Sequence, residues 1–352
     1  MSFVSPRRAL ASRLERGVAG GSVLAGLERA WVACARVERD VGPGVAARVI
    51  GVGGATLGGA GKTPLARAIA AELAARGVRV AVAARACGVG RRSARVVRPG
   101  DTWREVGDEP LALARALASA GVPVVAGTDR AATLGVAAAR AEVVVADGLL
   151  QARPARVAAS LLVVDAGAPW GSGRCPPLGD LRASPRALTS ACDAVVRVVP
   201  TRGSAPEPLA LGAWGGGARP VFDVGRPPAR SARRLAPGPE GEVVTLERLG
   251  ALRVGVVLAL ARPERLLSAL AVAGLRPVRV VLFGDHEAPR LPRAACVDAW
   301  LTTPKCATKL EGVPRSERIW VLEDTLGVPR ELVEFVAARL AVAASSPAAP
   351  GG

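Results

Sequence analysis

Seven residues, Gly58-Gly59-Ala60-Gly61-Lys62-Thr63-Pro64, constrain this chain more than any other stretch. An apolar run, Ala47 to Val52, precedes them, and a helix-like pattern, Leu65 to Leu73, follows. Strand, glycine turn, lysine, hydroxyl and helix in that order form a phosphate-binding loop. The glycines let successive backbone N–H groups point at one anion with no Cβ in the way. The helix after the turn adds the positive end of its dipole. Lys62 can reach the β- and γ-phosphates of a nucleotide, and Thr63 can offer a hydroxyl to Mg²⁺. The general pattern has a further glycine where this chain has Thr56, and an ordinary glycine-rich turn is the alternative reading.

The flanking sequence repeats the strand–helix alternation. Strands are predicted at 46–53, 78–84, 122–126, 142–147, 160–165 and 194–199, with helices at 63–76, 109–120 and 129–140. That is the outline of a doubly wound parallel sheet of the P-loop type. Residues 205–245, rich in Gly, Pro and Arg, read as a linker or extended ribbon. A second, smaller α/β unit is expected over 246–342: strand 252–260, helix 262–273, strand 277–283, helix 290–298, strands 299–303 and 318–322, and a last helix at 328–342. The P-loop unit thus occupies 41–204, residues 1–40 form an apolar and basic helical segment, and 343–352 read as a disordered tail.

Half the residues are hydrophobic, but aromatics make up 3% and Tyr is absent, so the core must be built from Ala, Val and Leu. The net charge of +17 suits a phosphorylated substrate or an anionic lipid surface. Nucleic acid is not expected, because no reading motif and few stacking aromatics accompany the charge. The basic residues are 44 Arg and only 3 Lys. A compact ammonium is not interchangeable with a guanidinium fork, so each lysine is a candidate functional group. Lys62 lies in the glycine turn; Lys305 and Lys309 lie four apart after the strand at 299–303. A solvated helix start is the plain alternative for those two.

His286 is the sole histidine, in Gly284-Asp285-His286-Glu287 after the apolar run Val278 to Phe283. Ligands of open α/β sheets bind at such carboxyl ends. The six cysteines show no paired metal spacing and read as free thiols. Near the N-terminus, Val23, Leu24, Leu27, Ala30, Trp31 and Cys34 recur at helical spacing, with Arg13, Arg16, Arg29 and Arg36 nearby. Glu28 and Arg29 interrupt that stretch, so it is a poor membrane-spanning segment. It suits either a membrane interface or packing on the domain.

Two acidic clusters remain. Gly107-Asp108-Glu109-Pro110 places carboxylates at a helix start, where they could cap the helix or serve as a base and a metal-linked group. Asp147, in Ala146-Asp147-Gly148-Leu149-Leu150-Gln151, ends a strand where a carboxylate could hold Mg²⁺.

In this order these motifs resemble the tetraacyldisaccharide 4′-kinase family, the lipid A kinases. The resemblance spans roughly residues 20 to 335. It takes in Thr128-Asp129-Arg130, Pro177-Leu178-Gly179-Asp180-Leu181-Arg182, Ala261-Arg262-Pro263-Glu264-Arg265 and Thr303-Pro304-Lys305-Cys306-Ala307-Thr308-Lys309. It implies two α/β domains around a cleft, ATP and Mg²⁺ as cofactors, and transfer of the γ-phosphoryl to the 4′-hydroxyl of a lipid A disaccharide 1-phosphate precursor. It also implies a monomer in peripheral contact with the anionic cytoplasmic face of a Gram-negative inner membrane. By position, Asp108 is then the base and His286 its partner, while Lys62 neutralises the transferring phosphoryl. Residues 58–64 cradle the phosphates. Thr63, Glu109 and Asp147 serve the metal, and Arg182, Lys305 and Lys309 meet the substrate. The chain departs from the family pattern at Ala146, Pro304, Cys306 and Glu287, and in Ala84-Arg85-Ala86-Cys87-Gly88. Each departure removes a polar support group or swaps it for another, so a catalytically weakened nucleotide- or lipid-binding homologue stands as the alternative. A GTPase or partition-type ATPase also carries such a loop, but no guanine-reading Asn-Lys-x-Asp is present.

Overall fold

The computed structural model of the chain describes residues 3–35, 47–87, 89–90, 93–150, 157–200, 219–235, 241–292, 296–323 and 325–345. Two sheets organise them. The first has the order Arg95–Val96, Val124–Gly127, Val80–Arg85, Val143–Asp147, Arg48–Gly54, Ala159–Asp165, Ala194–Pro200 and Val221–Arg226. All neighbours are parallel except the short edge strand Arg95–Val96. Strands buried on both faces need apolar side chains at every position, which is why Val143–Asp147 and Ala159–Asp165 read as continuous runs rather than alternations.

Successive side chains point to opposite faces. Ile50, Val52, Val143 and Val145 pack against Leu65, Ile69 and Leu73 of the helix Lys62–Ala75 and Leu111 of the helix Asp108–Leu117. Val49 and Val144 face Leu134 and Ala137 of the helix Arg130–Ala138 on the other side. This is the doubly wound arrangement expected from the sequence.

The second sheet runs Phe3–Val4, Arg279–Phe283, Val254–Ala259, Ala299–Thr302, Ile319–Leu322, Ser231–Arg234 and Val243–Thr245. Its first five strands are mutually parallel, and Ser231–Arg234 is antiparallel to both its neighbours. The chain ends cross over between the units. Phe3–Val4 pairs with Arg279–Phe283 of the second sheet. The last helix, Arg330–Ser345, buries Leu332, Val336 and Leu340 in the core of the first sheet. Phe3–Val4 and the last helix thus each pack with a sheet distant in sequence: periodicity shows which helix face is apolar, not which sheet covers it.

Three further expectations are corrected. The helix expected at 290–298 is absent from its described residues, 290–292 and 296–298. Pro289 and Pro292 explain this, since each removes an amide donor and pushes the preceding residue out of the helical region. The 205–245 linker is partly ordered sheet: Val221–Arg226 edges the first sheet, and Ser231–Arg234 and Val243–Thr245 extend the second. Residues 205–218 and 236–240 of that region lie outside the described residues. Of the tail expected from 343, residues 343–345 belong to the last helix, and residues 346–352 lie outside the described residues.

The N-terminal segment forms two helices, Pro6–Arg16 and Ser22–Cys34. The first starts cleanly, with Ser5 accepting from the Arg8 amide and Pro at its first position. The second buries no residue, and its Val23, Leu27, Trp31 and Val32 are exposed.

Candidate active site at the seam between the sheets

The glycine turn follows the central strand Arg48–Gly54 and feeds the helix Lys62–Ala75. Gly59 and Gly61 have φ of 76° and 94°, a left-handed region that a side chain disfavours. Thr63 Oγ1 donates to Asp147 Oδ2 at 2.6 Å. The other oxygen of that carboxylate, Oδ1, is buried without a hydrogen-bond partner. Burial, reinforced by the nearby Glu109 charge, raises the Asp147 carboxyl to about 6 despite Thr63 and Lys62. Burial also pushes the Lys62 ammonium below its usual range, and the Arg182 charge adds to this, against Asp147, Glu109 and Asp285. The loop thus holds an under-solvated cation beside an under-satisfied carboxylate oxygen.

Asp108 opens the helix Asp108–Leu117 of the first unit, and both its oxygens are engaged. Oδ1 accepts the Glu109 amide at 3.0 Å and His286 Nδ1–H at 3.1 Å. Oδ2 accepts from Lys309 Nζ at 2.5 Å. Asp108 and Lys309 are 1% and 2% exposed, so this pair is removed from solvent. Burial raises the Asp108 carboxyl, but the His286 hydrogen bond and the Lys305 and Lys309 charges outweigh it and hold the group far below the usual carboxylate range. For His286, burial lowers the imidazole, yet Asp108 and Asp285 leave it net raised. His286 has φ of 63°, a conformation that histidine tolerates better than most residues. Lys305 Nζ bridges Glu109 Oε1 at 2.9 Å and Asp285 Oδ1 at 2.6 Å.

The structure therefore brings together all three lysines and the lone histidine that their scarcity singled out. Lys305 and Lys309, expected on the substrate, are each paired with carboxylates, and the Lys309 side chain is enclosed. Arg182, also expected on the substrate, braces the loop: Nε donates to the Thr56 carbonyl at 2.8 Å and Nη2 to that of Leu57 at 2.9 Å. Glu109, expected on the metal, is paired with Lys305. Sequence reasoning gave Arg130 no role; its Nη2 donates to the Gly148 carbonyl at 3.0 Å and steadies the Asp147 turn. Gln151 and Gly88 lie outside the described residues.

The departures from the family pattern are absorbed locally. Ala146 packs fully buried among Val49, Ala81 and Leu134, on the sheet face away from the helix Lys62–Ala75. Pro304 takes the first position of the short helix Pro304–Ala307, where proline is favoured, behind the Thr303 cap. Cys306 is buried, with Sγ 3.2 Å from the Ala259 amide. Glu287 Oε2 accepts from Ser5 Oγ at 2.5 Å and so fastens the N-terminal strand.

Among the described residues no group of three or more His, Cys, Asp and Glu side chains could hold a metal by itself. Mg²⁺ does not require such a cage, since it is commonly held by one or two protein oxygens, waters and substrate phosphates. Thr63 and the orphaned Asp147 Oδ1 fit that mode.

A glycine turn, lysine, threonine and strand-end aspartate at the carboxyl edge of a parallel sheet define a P-loop nucleotide-dependent protein. The comparisons narrow this. The family model for tetraacyldisaccharide-1-P 4′-kinase (LpxK) matches residues 26–341. A tetraacyldisaccharide 4′-kinase from Anaeromyxobacter dehalogenans strain 2CP-C is 36% identical, over 75% of this chain and 73% of the relative. One from Chromobacterium violaceum is 35% identical, over 83% of this chain and 84% of the relative. The crystal structure of LpxK from Aquifex aeolicus, described as an "apo" form in complex with ATP, matches at a TM-score of 0.64 and 21% identity, over 90% of this chain and 95% of that one. This chain belongs to the tetraacyldisaccharide 4′-kinase family.

Proposed function

We propose that the protein uses ATP to phosphorylate the 4′-hydroxyl of a tetraacyldisaccharide 1-phosphate, the lipid A precursor. One observation carries this reading beyond family membership: Asp108 and His286, from different units, meet, with the neighbouring Asp285 set beside Gly58 of the glycine turn. Phosphoryl transfer depends on positioning and charge neutralisation more than on covalent chemistry. Residues 58–64 would cradle the phosphates, with Lys62 at the transferring phosphoryl. Thr63 and Asp147 would hold Mg²⁺, with Glu109 close by; bound there, the ion neutralises charge on the phosphate oxygens. Asp108 and His286 would draw the proton from the sugar hydroxyl as its oxygen bonds to the γ-phosphorus and ADP leaves. Lys309 and Lys305 would hold Asp108, Glu109 and Asp285 in place when the units are together. Arg182 would shape the loop through Thr56 and Leu57.

The acceptor is an anionic amphiphile, and two features suit it. The protein carries a net charge of +17. The helix Ser22–Cys34 leaves Val23, Leu27, Trp31 and Val32 exposed, and its Glu28 is anchored to Arg174 at 2.5 Å. Among the described residues no helix is long and apolar enough to cross a membrane. We place the protein as a monomer on the cytoplasmic face of a Gram-negative inner membrane, with that helix in the interface.

The test is transfer of labelled γ-phosphate from ATP to tetraacyldisaccharide 1-phosphate in detergent micelles, with Asp108→Ala in parallel. Transfer by the wild type that collapses in the variant is expected. No transfer by wild-type protein that still binds ATP would refute the kinase reading.

A further inference from the structure

The run Ala261-Arg262-Pro263-Glu264-Arg265 lies against the glycine turn. A Cβ built on Gly58 would stand 2.5 Å from Ala261 Cβ, and one on Gly59 would stand 3.0 Å from Arg262 Cγ. Arg262 is committed: its Nη2 donates to Asp180 Oδ2 at 2.5 Å, with the two side chains 10% and 5% exposed. Arg265 is placed differently. Its Nη1 donates to the Gly59 carbonyl at 2.6 Å and lies 2.8 Å from Asp165 Oδ2. Its Nε and Nη2 meet no acceptor among the described residues, and the side chain is 28% exposed.

Three physical features make this an anion-seeking guanidinium. First, it sits in the opening turn of the helix Pro263–Val272, where the helix dipole disfavours a cation. Second, its surroundings disfavour its charge: burial, opposed by Asp165 and aided by Arg262 and Arg226, draws its pKa down to about 10. Third, its partner Asp165 ends the strand Ala159–Asp165, next to the phosphate-loop strand, at the sheet edge where nucleotides bind.

We propose that Arg265 is a nucleotide-binding residue supplied by the second unit, whose open Nε–Nη2 edge takes a phosphate oxygen of the nucleoside triphosphate held in the glycine turn. This rests on the phosphate-loop reading of residues 58–64. Nucleotide affinity then depends on the second unit being closed over the loop, and bound nucleotide favours closure in return.

Nucleotide binding tests this without phosphoryl transfer. A non-hydrolysable ATP analogue with Mg²⁺ is titrated calorimetrically into wild type, Lys62→Ala, Arg265→Ala and Asp165→Asn. Arg265→Ala is expected to weaken binding about 10- to 100-fold, the value of a charge-assisted contact. Asp165→Asn is expected to bind as tightly as wild type or more tightly. The amide keeps an Oδ1 acceptor for the Gly167 and Ala168 amides while releasing the guanidinium. Wild-type affinity in Arg265→Ala overturns the proposal. So does an equal loss in Asp165→Asn, which marks the pair as a structural brace. Should Arg265→Ala lose its cooperative thermal transition, Arg265→Gln takes its place with the same two outcomes. Equal binding by wild type and Lys62→Ala, or none by wild type, would instead sink the phosphate-loop reading.

Discussion

Two turns face each other across the seam. The turn after Arg48–Gly54 works through its backbone: left-handed Gly59 and Gly61 shape it within one short stretch of chain. The turn after Arg279–Phe283 also leaves the carboxyl edge of a parallel strand, but it works through side chains. Its Asp285 pairs with Lys305 of the same unit, and its His286 reaches Asp108 of the other, 178 residues away. A backbone site stands wherever its loop folds. A side-chain contact that joins the units, such as His286 with Asp108, exists only while the two are together.

The strongest way to break the second turn is Asp108→Ala. Phosphoryl transfer should fall about 10²- to 10⁴-fold, the range for losing a general base. Stability should also fall, by about 3–5 kcal/mol, because Lys309 is left as an enclosed, unpaired cation. Asp108→Ala with Lys309→Met should regain most of that stability in urea titrations and none of the transfer. If the double variant unfolds as early as the single one, Lys309 is not the cause of the loss.

The first turn should respond in the opposite sense. Lys62→Met should reduce kcat about 10²- to 10³-fold, as for removal of one preorganised charge. Yet it should raise the free protein's thermal midpoint, by roughly 1 kcal/mol in stability. The direction follows from burial: a lysine held below its usual pKa is a charge the fold tolerates at a cost. Asp147→Asn should stabilise for the same reason, since that carboxyl is raised to about 6. A fall in midpoint for both variants would mean that these groups support the fold and are not strained toward a ligand.

A smaller effect is expected at the contact between the turns. Gly58→Ala drives a methyl into Ala261, so it should loosen closure and raise the KM for ATP several-fold while leaving stability within about 1 kcal/mol. An unchanged KM would show that Ala261 yields without moving the second unit.

The same contrast explains what the sequence disclosed. Strands such as Val143–Asp147 were legible because a strand buried on both faces can only be an apolar run. The glycine turn was legible because backbone geometry demands glycine at fixed spacing. The three lysines and His286 stood out because the chain otherwise uses arginine and has one histidine. That same arginine abundance hid Arg130 and the bracing geometry of Arg182 and Arg265, since one guanidinium among 44 carries no signal. Scarcity also could not show that Lys309 would face Asp108 rather than a ligand. The pairing crosses 201 residues and depends on how two sheets dock. The exchange of chain ends between the sheets escaped for a like reason, because Phe3–Val4 has no periodicity to read.

The weakest expected effect is the most specific to the second turn. The folded-state pKa of His286 is raised, so the contact with Asp108 stabilises the fold fully below the ordinary imidazole value of about 6.5. That contribution is lost as pH rises through the raised value, when the ring gives up its proton in the folded protein too. Asp108 does not add to this dependence, because its carboxyl is held far below the usual range and stays ionised throughout the window. The stability gap between wild type and His286→Gln should therefore be largest near pH 6 and close as pH rises through the raised imidazole value. It should be on the order of 0.5 kcal/mol, reduced because the ring is 32% exposed and partly screened. Urea titrations at half-unit steps of pH would measure it. A gap that widens with pH would mean that the neutral ring makes the better contact, with Asp108 anchored by Lys309 alone.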